Sequence, residues 1–98
     1  MEKRNPHYPL SEVQALIQAG QVRSTVSALA GAAALGLDFD GMLGIIKALT
    51  LADFYKSMTT QSDHRVWQDV YRPTTSAGEV YLKLTVVAEV LIVSFKEL

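Results

Sequence analysis

Five polar side chains in the second half of the sequence have types that suit chemistry at a phosphate group. They are Lys56, Gln68, Arg72, Tyr81 and Lys96, and they lie in alternating stretches where a purely structural strand would more often have valine or threonine. Cleavage of RNA through its own 2′-hydroxyl requires a group that takes the hydroxyl proton, a group that protonates the leaving 5′-oxygen, and positive charge at the phosphorane. The substrate supplies the nucleophile, so neither an activated serine or cysteine nor a metal ion is obligatory.

Each of these residue types can be matched to part of that chemistry. Arg72 offers a planar fork of donors for phosphate oxygens, and Lys56 offers a proton acceptor only if burial and neighbouring positive charge lower its pKa. Tyr81 can give or share a proton, Gln68 can orient the phosphate, and Met58 fits either a core or a soft surface for a nucleobase. Surface sheets also carry such residues as solvated side chains, so the residue types alone leave a catalytic and a structural face both open.

The elements that would position these residues are strands. Residues 54–60, 66–72, 80–87 and 90–96 alternate or are β-branched, and polar turns separate them, with a tight turn near Ala88 and Glu89. Four such segments in succession predict an antiparallel meander. One parity, which comprises Val80, Leu82, Leu84, Val86, Leu91, Val93 and Phe95, is expected to meet helices. The other parity places Tyr81, Lys83, Thr85, Ser94 and Lys96 on an open face, which Lys56, Met58, Gln68 and Arg72 join if their strands point the same way.

The first half of the chain predicts three helices. The first has a capping box at Ser11 and Gln14 and ends at Gly20. The second begins near Ser24 or Thr25, ends at Gly36 and carries a small alanine face that permits close approach to a sheet; Asp40 is expected to cap the third. Helices followed by strands predict an α+β fold, with three N-terminal helices on one face of an antiparallel sheet of about four strands.

Composition restricts the classes of function. The 98 residues suit a single domain over residues 1–98, and 49% apolar with 19% charged residues is a globular balance. The net charge of −1 does not indicate nucleic acid, although a local basic patch remains compatible with it. No segment resembles a signal peptide or is long enough to span a bilayer, so we expect a cytoplasmic protein without membrane contact.

The residues that most often bind metals do not form a convincing site in this sequence. There is no cysteine, and His64 beside Asp63 is expected to be a turn residue. His7 is expected to be solvated, or to reach the site on an extended N-terminal arm. Asp40 and Asp53 are explained by helix capping. We therefore expect neither a metal site nor a cofactor.

Six blocks of the sequence carry a resemblance to a known family, and they are "GLDFDGM" (36–42), "DFYKSMTT" (53–60), "SDH" (62–64), "WQDVYRP" (67–73), "VYLK" (80–83) and "VLIVSFKE" (90–97). With these blocks the chain resembles the motility quorum-sensing regulator (MqsR) family of bacterial toxins over almost its whole length. The resemblance implies a RelE-like fold and a toxin that arrests growth as a ribosome-independent messenger-RNA endoribonuclease selecting GC-containing sites.

The same resemblance implies roles for individual residues and a partner. Lys56, Gln68 and Tyr81 would be the catalytic residues, and Met58, Arg72 and Lys96 would support RNA binding. The partner would be an MqsA-like antitoxin with a helix-turn-helix motif and its own zinc. The alternative function, from a different class, is a non-catalytic module that binds a protein partner through an exposed edge strand.

Overall fold

The chain forms three helices and seven strands. The computed structural model describes all residues from Met1 to Leu98. The helices are α1 (Leu10–Gln18), α2 (Val26–Ala34) and α3 (Phe39–Lys47), and a single 3-10 turn covers Leu51–Asp53. The strands are β1 (Glu2–Lys3), β2 (Val22–Ser24), β3 (Phe54–Thr59), β4 (Trp67–Tyr71), β5 (Thr74–Thr75), β6 (Gly78–Val87) and β7 (Glu89–Glu97).

Six of the strands follow one another across the sheet in the order β1-β3-β4-β6-β7-β2, and β5 pairs with β6. The α+β class and the four long antiparallel strands are confirmed. The predicted count of about four is too low, and the sheet is mixed because β2 runs parallel to β7. The additional strands β1, β2 and β5 have two or three residues each, too few to show an alternating pattern in the sequence.

None of the helices alone is long and apolar enough to cross a membrane. Helices α2 and α3 meet the length and composition requirements only as a pair, and a bend of 89° separates them.

The predicted capping box of α1 is wrong. The helix begins after Pro9 without any side-chain cap, so Ser11 already lies in its first turn. The amide of Gln14 instead donates to the carbonyl oxygens of Ile46, Lys47 and Leu49, at 3.3, 3.1 and 2.9 Å. These acceptors are carbonyls of the last turn of α3 and of the residues just beyond it, so Gln14 joins α1 to α3.

Asp38, and not Asp40 as predicted, caps α3. Its Oδ1 accepts from the amide of Gly41 at 2.8 Å, while Asp40 lies in the first turn of the helix. A negative charge there is still favourable, because it faces the positive end of the helix dipole. The predicted cap of α2 is confirmed, since Thr25 accepts from the amide of Ala28 at 3.0 Å.

Helix α2 packs directly against β7. Its buried residues are Ala28 and Ala32, as the small alanine face predicted. A Cβ atom on Gly31 would lie 1.8 Å from the carbonyl oxygen of Phe95, so only glycine allows this approach. The chain leaves α2 through Gly36 at a φ of +79°, a conformation that glycine adopts without strain.

An irregularity in β7 changes the predicted facing of that strand. Lys83 pairs with Ser94 whereas Leu84 pairs with Ile92, which leaves Val93 as an extra residue. Phe95 faces the helices as predicted, but beyond this bulge Val90 and Ile92 are buried there in place of Leu91 and Val93.

The segment before α1 is held on the sheet by a buried carboxylate. Asp69 on β4 is fully buried and accepts from the amides of His7 and Tyr8, at 3.0 and 2.9 Å. The ring of His7 stacks on Trp67 with 5.2 Å between centroids. Trp67 therefore packs at the sheet surface, and burial together with the Lys3 charge lowers the pKa of His7.

Tyr71 offers a test of packing in the core. Its side chain is fully buried, and its hydroxyl has no hydrogen-bond partner. Burial, and to a smaller extent the charge of Asp69, raises the pKa of this phenol. We expect Tyr71→Phe to raise the free energy of unfolding by about 1 kcal/mol, because it removes an unpaired polar group and keeps the ring contact with Phe54.

Urea unfolding followed by circular dichroism measures this change. Tyr81→Phe, on the face away from the core cluster, serves as the control and should leave the midpoint unchanged. A loss of stability in Tyr71→Phe would show that the hydroxyl contributes a favourable interaction.

Candidate functional site

Strand register brings the six predicted site residues to one face of the sheet. Met58 pairs directly with Gln68 across β3 and β4, and Tyr81 pairs directly with Lys96 across β6 and β7. Lys56 pairs with Val70, two residues beyond Gln68. The pairing of β4 with β6 continues past Tyr71, because the amide of Val80 donates to the carbonyl oxygen of Pro73 at 3.0 Å.

Arg72 therefore lies beside Tyr81 on the neighbouring strand, since it precedes Pro73 in the same register. The residues that alternate with the site residues are buried on the opposite face. Ser57 and Asp69 pair with each other and are fully buried, and Leu82 belongs to the core cluster beneath the helices. The site residues thus share the face that the helices leave uncovered, which we call the open face. Their convergence is as predicted, and their roles remain predictions.

Lys83 is a member of the open face that the sequence analysis placed there without giving it a role. It pairs with Val70 on one side and with Ser94 on the other, so Lys56, Val70, Lys83 and Ser94 form one row across four strands. Val70 is fully buried although no helix covers it. We infer that the aliphatic stems of the two flanking lysines cover it.

Tyr55 joins the face through a feature that the sequence did not predict. Phe54 pairs with Tyr71 but Lys56 pairs with Val70, so Tyr55 is the extra residue of a bulge. Its ring lies 4.6 Å from the guanidinium carbon of Arg72 and 5.4 Å from the amine of Lys56. Tyr55 therefore holds both cations at the same end of the face.

Lys56 has a carboxylate partner from the edge of the sheet. Its Nζ lies 2.7 Å from Oε2 of Glu2 on β1. This hydrogen bond raises the pKa of Lys56 and lowers that of Glu2. Lys56 was expected to accept a proton only if its pKa were lowered. In this arrangement its pKa is raised instead.

Lys83 has the opposite environment. Its amine has no ion pair, hydrogen bond or cation–π partner, whereas Lys96 lies over Tyr81 at 5.3 Å and Arg72 over Tyr55. Burial, followed by repulsion from Lys96, lowers the pKa of Lys83. The lysine that comes nearest to the requirements of a proton acceptor is therefore Lys83.

The open face is broad and positively charged. Lys56, Arg72, Lys83 and Lys96 contribute four cations, against the carboxylate of Glu2 and that of Glu79, which shares the parity of Tyr81. The cavity nearest to it, of about 260 Å³, includes Tyr55, Arg72 and Glu79 in its lining. The larger cavities lie beside the helices and contain none of the site residues. A flat cationic surface suits an extended anionic polymer better than a small molecule.

The histidines do not contribute to this face. His7 contacts Trp67, which alternates with Gln68 along β4, and His64 is exposed in the loop after β3. Asp38 and Asp53 accept hydrogen bonds from the backbone amides of Gly41 and Thr50. No three His, Asp or Glu side chains come together as a metal site would require.

Comparison with known proteins identifies the family of this chain. Residues 5–97 match the family described as "Motility quorum-sensing regulator, toxin of MqsA". The mRNA interferase toxin MqsR of Escherichia coli (strain K12) is 65% identical over 97 residues, which is 99% of each chain. The chain belongs to the motility quorum-sensing regulator family of toxins, and as a member of that family it is an endoribonuclease.

Proposed function

We propose that this toxin cleaves messenger RNA at GC-containing sites without the ribosome, by attack of a 2′-hydroxyl on the adjacent phosphodiester, and so arrests translation and growth. The observation that carries the proposal is the open face, where Lys56, Gln68, Arg72 and Tyr81 come from three adjacent strands. The name of the Escherichia coli relative, an mRNA interferase toxin, supports the substrate. The helices lie on a single face of the sheet, and this placement supports a RelE-like fold.

The proposed roles follow from the chemistry of each side chain. Arg72 and Gln68 hold the phosphate, and Tyr81 donates a proton to the leaving 5′-oxygen or orients it. Met58, opposite Gln68, contacts a nucleobase, and Lys96 adds charge beside Tyr81. For Lys56, the ion pair with Glu2 supports stabilisation of the phosphorane over proton transfer, because it favours the charged amine.

The proposed partner is the antitoxin MqsA, a zinc-containing protein with a helix-turn-helix motif. The description of the family as the toxin of MqsA supports this pairing. The zinc would belong to the antitoxin. An antitoxin that covers the open face would block access of RNA to it.

The products of cleavage test the mechanism directly. We expect a short RNA containing a GC site to give fragments with a 2′,3′-cyclic phosphate and a 5′-hydroxyl, because the 2′-oxygen displaces the 5′-oxygen. EDTA should not change the rate. Mass spectrometry of the fragments measures the ends, and products that carry a 5′-phosphate would contradict the mechanism.

Variants of the site test which residues carry it. We expect Lys56→Ala and Tyr81→Phe each to lower the cleavage rate by about 100-fold or more, since each removes charge stabilisation or proton transfer in the transition state. Their production in cells should no longer arrest growth. Lys47→Ala, exposed on α3, is the matched control and should remain toxic. A full growth arrest by folded Lys56→Ala would exclude Lys56 from the reaction, whereas a parent protein that leaves cells unharmed would favour the protein-interaction module.

The ion pair on β1 gives a separate prediction about Lys56. In Glu2→Gln the carboxylate is lost, so the pKa of Lys56 should fall. NMR titration of the lysine side-chain carbons measures this change, with Glu12→Gln on α1 as a control that should leave Lys56 unaffected. An unchanged pKa in Glu2→Gln would show that the pair does not persist in solution.

A further inference from the structure

We infer that Lys83 is a further catalytic residue of the proposed reaction and that its amine accepts the proton of the attacking 2′-hydroxyl. The inference rests on the proposed function. It assigns the proton-acceptor role, which the environment of Lys56 does not favour, to a residue in the middle of the same face.

The position of Lys83 is the first argument. In the row across the sheet it is separated from Lys56 by Val70 alone, so the two backbones lie about 10 Å apart. Both side chains are long and flank a buried valine, which allows both amines to reach one phosphodiester. Tyr81 lies two residues earlier on the same strand and therefore on the same side.

The lack of a partner is the second argument. Each other cation of the open face already contacts a carboxylate or an aromatic ring. The Lys83 amine contacts neither, and its side chain is partly buried, so the neutral form is favoured more than for an ordinary surface lysine. Side chains whose pKa is shifted by burial cluster at functional sites, which makes Lys83 a candidate.

The charged and titratable groups around Lys83 come from every neighbouring strand. They are Tyr81 and Glu79 on β6, Lys96 on β7, Arg72 after β4, Tyr55 and Lys56 on β3, and Glu2 on β1. Cations outnumber carboxylates among them, and Glu2 is already paired with Lys56. Among these groups the charge of Lys96 lowers the pKa of Lys83, in the same direction as burial.

The proposed step exchanges one phosphorus–oxygen bond for another and transfers two protons. The lone pair of Lys83 Nζ takes the 2′-hydroxyl proton as the bond from O2′ to phosphorus forms. The bond from phosphorus to O5′ breaks, and O5′ receives a proton from Tyr81. Exchange with solvent returns a proton to Tyr81 and removes one from Lys83, so no other reactant is needed.

Substitution separates proton transfer from simple charge. Lys83→Arg keeps the positive charge but cannot lose its proton, so we expect cleavage to fall by about 100-fold or more. The cleavage rate of Lys83→Met should fall equally. This variant should melt at the same temperature as the parent or higher, because the substitution removes a charge without a partner from a partly buried side chain. Lys47→Arg and Lys47→Met are the controls and should cleave at the parental rate.

Chemical rescue gives a second readout, because the chain contains no cysteine. Lys83→Cys treated with 2-bromoethylamine acquires an amine at the position of Nζ, with a pKa lower than that of lysine because of the sulfur atom. We expect cleavage to return and its rise with pH to shift to lower pH. Lys47→Cys treated in the same way should show the parental profile.

The outcomes distinguish the two proposals. Parental cleavage by Lys83→Arg would overturn the proton-acceptor role and leave a phosphate contact only, and parental cleavage by both Lys83→Arg and Lys83→Met would exclude any role. If the parent protein itself fails to give a 2′,3′-cyclic phosphate, the proposed function fails whatever the Lys83 variants do.

Discussion

Burial of one face of the sheet is the constraint on which the rest of the structure depends. Strand side chains alternate between faces, so a shift of one residue in register would expose Leu82 and bury Lys83. The helices cover only the face that carries Leu82. The apolar core therefore fixes the position of every polar residue opposite it, although the helices do not contact those polar residues.

This arrangement brings four cations together on the open face, but it gives them different partners. Lys56 is held by Glu2, Arg72 by the ring of Tyr55, and Lys96 by the ring of Tyr81. A carboxylate partner favours the charged amine, and partial burial without a partner favours the neutral one. In the proposed reaction the lysines of one surface therefore take different roles: Lys56 stabilises negative charge and Lys83 exchanges a proton.

The sequence predicts those parts of the fold that long periodic segments determine. The four long strands and the outward facing of Tyr81 and Lys96 follow from alternation. Lys56 and Gln68 were expected on that face only if their strands pointed the same way, and the strand register supplies this condition. The bulges at Tyr55 and Val93 do not follow from alternation, because one inserted residue reverses the facing of what comes after and leaves no mark in composition. For this reason the inward residues of β7 were predicted as Leu91 and Val93 rather than Val90 and Ile92.

The local environment of a side chain is harder still to predict from sequence, as the helix caps and the lysines show. Asp38 and Asp40 both suit an N-cap, and only the start of α3 at Phe39 distinguishes them. Similarly, Glu2 and Lys56 lie 54 positions apart, and their contact depends on the two-residue strand β1. The pairing of β1 with β3 therefore determines which lysine of the open face has a carboxylate partner, and so couples the N-terminal residues of the chain to the protonation of a site on the sheet.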